Sequence, residues 1–409
     1  MRNYDWIIMG GGASGLILCN ELINSSLCGD VLLIESNEKK WNDRSWCFWS
    51  EKELGGNFNS NFFWKKIEIN TPGGSREFAS SPFSYRLIRS GEFYQKMYGR
   101  LSQNDRVSIV NESVESYASL GPYAEVKTNK NTYRGNWLFN SLMSLAPLPD
   151  SVRGGLKQHF LGSWIRTKED CFDPTKVKLM DFEVEQEGGV QFVYLLPLSK
   201  REALVEYTVF SKDIWEKPRY RTAIQSYLSE KFDLEDFLVE EEESGVIPMC
   251  PDTFPRITDG RIIHIGSAGG LTKASTGYTF HRILEDSRAL VKSMAYYGRP
   301  IPKLQATGRF AFYDRLLLWL VKHMPEKVPG IFLSLFSCNP KHVFKFLAEK
   351  SNLFEEIGLF LRLPWPPFLT ALWYEYFQTS PPKSLGSATQ SDHFDLPIAK
   401  LAKGNQSGI

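Results

Sequence analysis

Trp6-Ile7-Ile8-Met9-Gly10-Gly11-Gly12-Ala13-Ser14-Gly15 runs from an apolar stretch straight into a glycine turn, and Val31-Leu32-Leu33-Ile34-Glu35 follows as a second apolar run that ends in an acid. Strand, glycine turn, helix, then a strand closing on a carboxylate is the order that a dinucleotide-binding βαβ unit requires. Gly10, Gly12 and Gly15 let the chain turn tightly and bring backbone against a pyrophosphate seated on the helix N-terminus. Glu35, about twenty residues on, is placed to accept a ribose hydroxyl. The flanking strands and the acid separate this pattern from an ordinary glycine-rich loop. Its place at the head of the chain favours FAD over NAD.

Composition narrows the possibilities. At 409 residues the chain exceeds the roughly 250–300 at which a single core stops growing, so two or three lobes are expected. The 48 basic and 47 acidic side chains leave a formal charge of +1, and no overall field attracts nucleic acid. Six cysteines without a close CxxC pair and six histidines without an HxxxH or HExxH set indicate neither a zinc site nor a disulfide framework. They read as reduced thiols in a cytosolic protein, and no basic-then-apolar leader precedes the first strand.

Aromatics make up 14% of the residues, with 11 Trp. Three of these fall in Trp41-Asn42-Asp43-Arg44-Ser45-Trp46-Cys47-Phe48-Trp49. A dense core accounts for most of the rings, yet Asn42, Asp43 and Arg44 lie among them shortly after Glu35. An arginine there can reach a phosphate or the flavin edge. This stretch is expected to roof the cofactor and wall the substrate site.

Further on, Lys66–Ile69 and Val107–Val110 read as strands around a helix at Gly91–Gln103, and Tyr123–Thr128 with Tyr133–Phe139 reads as a hairpin. Val177–Glu183, Gly189–Pro197 and Arg201–Phe210 are β-rich runs with polar or glycine breaks, consistent with an antiparallel sheet. In the last of them Glu206 stands among apolar and aromatic neighbours and shares a face with Leu204 and Thr208. Alternation leaves two readings: an exposed strand residue, which is the ordinary one, or a carboxyl facing a substrate surface, where desolvation makes it a proton donor. Asp181 carries the same ambiguity. After the strand Arg261–Ile265, a second glycine-rich turn (Gly266, Gly269, Gly270, then Thr276 and Gly277) opens into a helix. Backbone amides at such a helix start suit anionic oxygens or a negatively charged reduced flavin.

The expected organisation is α/β (α+β). A Rossmann-like FAD-binding domain spans residues 1–156, with a return segment at 256–300, and an antiparallel-sheet substrate domain spans 157–255. A helical region follows at 301–379, then a disordered tail at 380–409, rich in Ser, Pro, Gly and Lys at its start and end. Phe310–Val321, Ile331–Phe336 and Leu359–Trp373 are rich in apolar and aromatic residues, but none is a run of about twenty apolar residues, so no spanning helix is expected. Trp and Tyr beside Arg315, Lys322, Lys327 and Arg362 is the composition of an interfacial surface. A monotopic protein on the inner face of the cytoplasmic membrane is expected, with Trp365 and Phe368 among the inserting side chains.

Asn42–Trp49, Met180-Asp181-Phe182, Leu204-Val205-Glu206-Tyr207-Thr208, Gly245-Val246-Ile247-Pro248-Met249 and Ser275-Thr276-Gly277-Tyr278-Thr279-Phe280 together resemble the bacterial lycopene β-cyclase family, and the resemblance runs from the N-terminus to about Trp373. It implies a flavoprotein with a hydroxybenzoate-hydroxylase and geranylgeranyl-reductase type of fold. Its activity would be to close β-ionone rings on lycopene, with reduced FAD as cofactor and NAD(P)H as reductant. The family's catalytic acid/base maps onto Glu206. Two departures stand out. Ser267 follows Gly266 where related hydroxylases usually carry Asp, and Asn140-Ser141-Leu142 stands where the family often shows Asp-Ser-Arg. The same scaffold also serves flavin monooxygenases or polyene reductases, and a non-catalytic flavin- or carotenoid-binding homologue.

Overall fold

The computed structural model describes residues 3–37, 42–51, 60, 62–303 and 308–377. Trp41 and the tail expected from residue 380 onward lie outside them. The opening apolar run forms β1 (Asn3–Met9), the glycine turn leads into α1 (Ala13–Ile23), and the second run is β2 (Val31–Glu35). Next come β3 (Ser45–Ser50), β4 (Phe62–Trp64), β5 (Lys66–Thr71), β6 (Gly74–Ala79), β7 (Ser84–Arg89) and α2 (Ser90–Leu101). They are followed by β8 (Val107–Asn111), β9 (Val114–Ser119), β10 (Ala124–Thr128), β11 (Thr132–Asn140) and the short α3 (Asp150–Gly154). The middle of the chain holds β12 (Lys157–Arg166), β13 (Lys176–Asp181), β14 (Val190–Pro197), β15 (Glu202–Ser211), α4 (Lys217–Phe232) and β16 (Leu238–Pro248). Then β17 (Ile257–Thr258), β18 (Ile262–His264) and α5 (Phe280–Tyr297) precede α6 (Arg309–His323), α7 (Val328–Phe336), α8 (Pro340–Leu347), α9 (Leu353–Phe360) and α10 (Trp365–Phe377).

The first sheet runs β17-β18-β11-β1-β2-β8, with β10 and β9 extending from β11. Its centre is parallel, β1 lying between β2 and β11. Parallel strands covered on both faces need apolar residues at nearly every position, which is why Trp6–Met9 and Val31–Ile34 do not alternate in polarity. Trp6, Ile8, Val31 and Leu33 meet α1, α2 and α5 on one face. Ile7, Met9, Leu32 and Ile34 meet the side of the β9–β10 hairpin on the other.

The second sheet, β16-β12-β15-β14-β13-β5-β6, is antiparallel from β16 to β13 and turns parallel only where β13 meets β5. β5 and β6 belong to the first quarter of the chain and still complete this sheet. On one face Leu161, Val193, Val205 and Tyr207 pack under α4.

β3, β7 and β4 form a small third sheet that stands between the two large ones. Alternation along β3 sorts its aromatic cluster. Trp46 and Phe48 stack on Phe280 at the start of α5, with ring centroids 5.5 and 5.3 Å away. Cys47 and Trp49 point the other way, into the core of the second sheet, where Trp49 lies 4.6 Å from Tyr85 and 3.9 Å from Phe344.

The helices α6–α10 close that core. Leu318, Val321, Phe332, Phe336 and Phe344 join Trp64, Ile67 and Phe182 in one cluster. They are also fastened to the second glycine loop. Lys273 Nζ, only 5% exposed, lies 2.7 Å from Asp314 of α6 and 3.0 Å from Glu349. Ser275 donates to the same Asp314 oxygen at 2.6 Å, and Arg282 lies 2.5 Å from Glu349. No described helix is long and apolar enough to cross a membrane. On α10 the row Trp365, Leu369 and Trp373 faces outward, as do Phe354, Ile357 and Leu361 of the α9 region. Phe368, beside that row, is half-buried and packs with Leu372 against Ala371 and against Leu316 and Leu320 of α6.

Candidate functional site

Both glycine turns meet at the N-terminus of α1. Gly10 has φ +98°, where only glycine is comfortable. A Cβ on Gly15 would fall 2.0 Å from the Gly10 carbonyl oxygen, so helix and turn approach as closely as backbones can. A Cβ on Gly266, at φ +61°, would meet Ser14 Oγ at 2.1 Å, so the late turn rests on the first turn of α1. Gly269 backs onto the His264 carbonyl, and Gly270 ends the late turn in the left-handed conformation.

The open side of this junction fits a dinucleotide. Gly12 caps α1 with no side-chain bond to the first-turn amides, and a Cβ there would meet nothing within 4 Å. Glu35 closes the adjacent edge, its Oε2 accepting from the Gly11 amide at 2.7 Å. At the far end, Thr276 Oγ1 and Gln158 Oε1 are buried without a hydrogen-bond partner, and a Cβ on Gly277 would lie 2.5 Å from that Gln158 oxygen. Buried polar atoms without partners are costly, so this edge is chemically prepared for a polar ligand. Arg44 is exposed at the entry to β3, its amide donating to Ser90 Oγ at 3.0 Å.

The two sequence departures have local explanations. Asn140 is fully buried, its Nδ2 3.1 Å from His264 Nδ1 and its Oδ1 accepting from the Leu142 amide at 2.9 Å. It ties β11 to β18. Leu142 covers Gly10, and Ser267 bonds to Thr272 Oγ1 at 3.1 Å.

Glu206 lies across β3 from this junction. Strand register sets Tyr194 of β14, Glu206 of β15, Gly162 of β12 and Glu243 of β16 in one row across the second sheet. All four belong to the face opposite α4, towards Cys47 and Trp49 of β3. Glu206, Cys47, Tyr194 and Tyr278 are each half-buried, and burial is the largest influence on the titration of every one of them. Desolvation, with the neighbouring Glu243 charge second, pushes the Glu206 carboxyl up to about 8, while the Thr208 hydroxyl, donating at 2.8 Å, pulls the other way. The ordinary exposed reading of Glu206 therefore does not hold. Desolvation likewise holds Cys47, Tyr85, Tyr194 and Tyr278 far above their usual values, so these thiol and phenol groups are neutral.

Asp181 has a different setting. It is fully buried and accepts from Tyr227 of α4 at 2.9 Å and from Asn70 at 3.3 Å, which makes it a tie between sheet and helix.

Glu243, Gly162 and Gln158 escaped the sequence reading. Glu243 ends the run Glu240-Glu241-Glu242-Glu243, which looks like a solvated acidic face. In the strand, Glu240 and Glu242 pair with Arg166 and Arg221 at 2.6 Å each, while Glu243 turns inward and is 4% exposed. Period-two alternation was the available signal. Among the described residues no group of His, Cys, Asp and Glu could hold a metal, and all six cysteines are free.

The fold is shared with flavoproteins of known structure. A flavoprotein/dehydrogenase from Cytophaga hutchinsonii superposes with TM-score 0.58 at 12% identity, covering 91% of this chain and 100% of that one. A geranylgeranyl bacteriochlorophyll reductase-like protein from Thermoplasma acidophilum gives 0.56 at 13% identity, covering 92% and 97%. In sequence the chain is 21% identical to the lycopene β-cyclase of Pantoea ananas over 390 residues, 90% of this chain and 97% of that protein. The model of the lycopene cyclase protein family matches residues 5–372, and the chain belongs to that family.

Proposed function

We propose that the protein is a flavin-dependent lycopene β-cyclase. The observation that carries this reading is the place of Glu206 in the second sheet, half-buried in one row with Tyr194 and Glu243 on the face towards Cys47 and Trp49, where burial pushes its carboxyl up to about 8. Closing a β-ionone ring requires a proton delivered to the terminal alkene of a linear polyene. The C5=C6 bond then attacks the cation, and loss of the C6 proton completes an isomerisation without net redox change. Glu206 would deliver that proton and recover one, as acid and then base. The rings of Trp49, Tyr194 and Tyr278 would offer π-faces to the cationic transition state.

Gly10, Gly12 and Gly15 would hold the pyrophosphate, and Glu35 the ribose. Gly266, Gly269, Gly270, Thr276 and Gly277 would line the remainder of FAD, with Arg44 contributing positive charge nearby. Bound in its reduced form, kept so by NAD(P)H, the flavin would supply negative charge to a cationic transition state.

Residues 1–156 and 256–300 would act as the cofactor domain, residues 157–255 as the substrate domain, and residues 301–379 as the membrane-facing part. Lycopene resides in lipid, and the outward apolar rows of α9 and α10 would rest on the inner face of the cytoplasmic membrane. Expression in a lycopene-accumulating bacterium should yield γ- and β-carotene. Consumption of NAD(P)H in step with product, or unchanged lycopene in cells holding folded, FAD-loaded protein, would overturn the proposal.

A further inference from the structure

Gly162 separates two acids. A Cβ on it would lie 3.0 Å from a Leu204 methyl, 3.2 Å from Glu243 Cγ and 3.6 Å from the Glu206 Cβ, so both carboxyl stems flank the same glycine from the strands on either side of it, with Leu204 beside them. We propose that Glu243 is the positioning residue of Glu206: a carboxylate fixed across Gly162, whose charge keeps the proton on its neighbour. This inference rests on the cyclase reading for its purpose, although the pairing itself is a property of the fold.

The groups around the pair decide which acid keeps the proton. Ser45 of β3 donates to Glu243 Oε2 at 2.7 Å. The charges of Arg44 and Arg89 also favour the ionised form of Glu243, and together these partly offset its desolvation, leaving it at about 7. Arg89 stacks 4.2 Å over the Trp164 ring and is held by Glu241 at 2.5 Å, which fixes that positive charge on the Glu243 side. Around Glu206 the facing groups are Cys47 of β3, Tyr194 of β14 and Tyr278 of the late loop, all neutral near pH 7. One acid thus has a hydroxyl, the Trp164 indole and two cations favouring its ionised form, and the other has Thr208 alone. Two carboxyls coupled across one glycine cannot both ionise cheaply, so between about 7 and about 8 the pair shares one proton, which favours Glu206. Deprotonation belongs to the pair, in two steps.

The test needs no substrate. Infrared pH-difference spectra of the purified protein, with bands assigned from Glu206→Gln and Glu243→Gln, follow each carboxyl directly. In Glu243→Gln the Glu206 titration should fall by about one pH unit or more, whereas Glu243→Asp, which keeps the charge, should retain most of the elevation. Ser45→Ala leaves both acids in place and should raise the lower of the two titration steps. The alkaline limb of cyclisation should move with Glu206. A Glu206 titration unmoved in Glu243→Gln, or a lower step unmoved in Ser45→Ala, overturns the pairing. Coupled titration in a protein that leaves lycopene unchanged would instead overturn only the cyclase reading.

Discussion

Glu206 carries opposite consequences for catalysis and for stability. As the proposed proton donor it would be competent only while protonated, so turnover should decline as pH rises through about 8. Glu206→Gln keeps shape and flavin binding but removes the acid, and the rate of β-carotene formation under anaerobic conditions with chemically reduced flavin should fall by about a hundredfold to ten-thousandfold. Glu206→Asp should keep a remnant, its carboxyl withdrawn by one methylene. A folded, FAD-loaded Gln variant turning over at the wild-type rate would remove Glu206 from the mechanism. The same substitution should act on stability in the opposite sense. The unfolded chain ionises this carboxyl near its ordinary 4.5 while the folded protein holds the proton to about 8, so the native state binds more protons in that window and loses stability as pH rises across it. The Gln variant escapes this loss. Thermal melts should place it above wild type by about 1–3 kcal/mol at pH 8.5, with the advantage shrinking towards pH 5. Equal melting at both values would mean that Glu206 is not desolvated.

The glycine turns and strands act through close backbone approach, which makes them sensitive to a single added side chain. Gly12→Leu should abolish flavin absorbance in the purified protein, because it fills the open space at the start of α1, while circular dichroism remains native. Full flavin loading of that variant would contradict the placement. These parts were legible in the sequence because their signals are local: apolar runs, glycine spacing and strand periodicity each extend over a few residues. What stayed hidden depends on pairings between distant elements. Glu243 became a site residue only through its register with Gly162, and β5 joined the second sheet only by meeting β13. Whether Asn140 holds a cofactor or a neighbouring strand was likewise unreadable until His264 was beside it. The helices α9 and α10 show the same limit. Trp365 and Phe368 are equally apolar in sequence, and only the position of α6 decides that one is exposed and the other half-covered.

Taken as a body, the molecule places its uncovered apolar rows on the helices that also close the aromatic core. Replacing Trp365, Leu369 and Trp373 together with Glu should abolish cosedimentation with anionic vesicles while leaving the melting temperature within a few degrees. Phe368→Glu should instead destabilise the protein, by burying a charge against α6. Vesicle binding that survives the triple change would move the membrane contact elsewhere. The Lys273 network bears on how such a protein could be re-engineered. Cutting the chain before α6 would strand the Lys273 ammonium without Asp314, and removing one partner of a buried pair typically costs about 3–5 kcal/mol, a large part of the roughly 5–15 kcal/mol that holds a domain folded. The loss would fall on the loop proposed to hold FAD. If the outward rows of α9 and α10 do rest on lipid, a lipid-free version of this protein would have to be made by repainting them, because trimming those helices together with α6 dismantles the loop proposed to hold FAD along with the greasy surface.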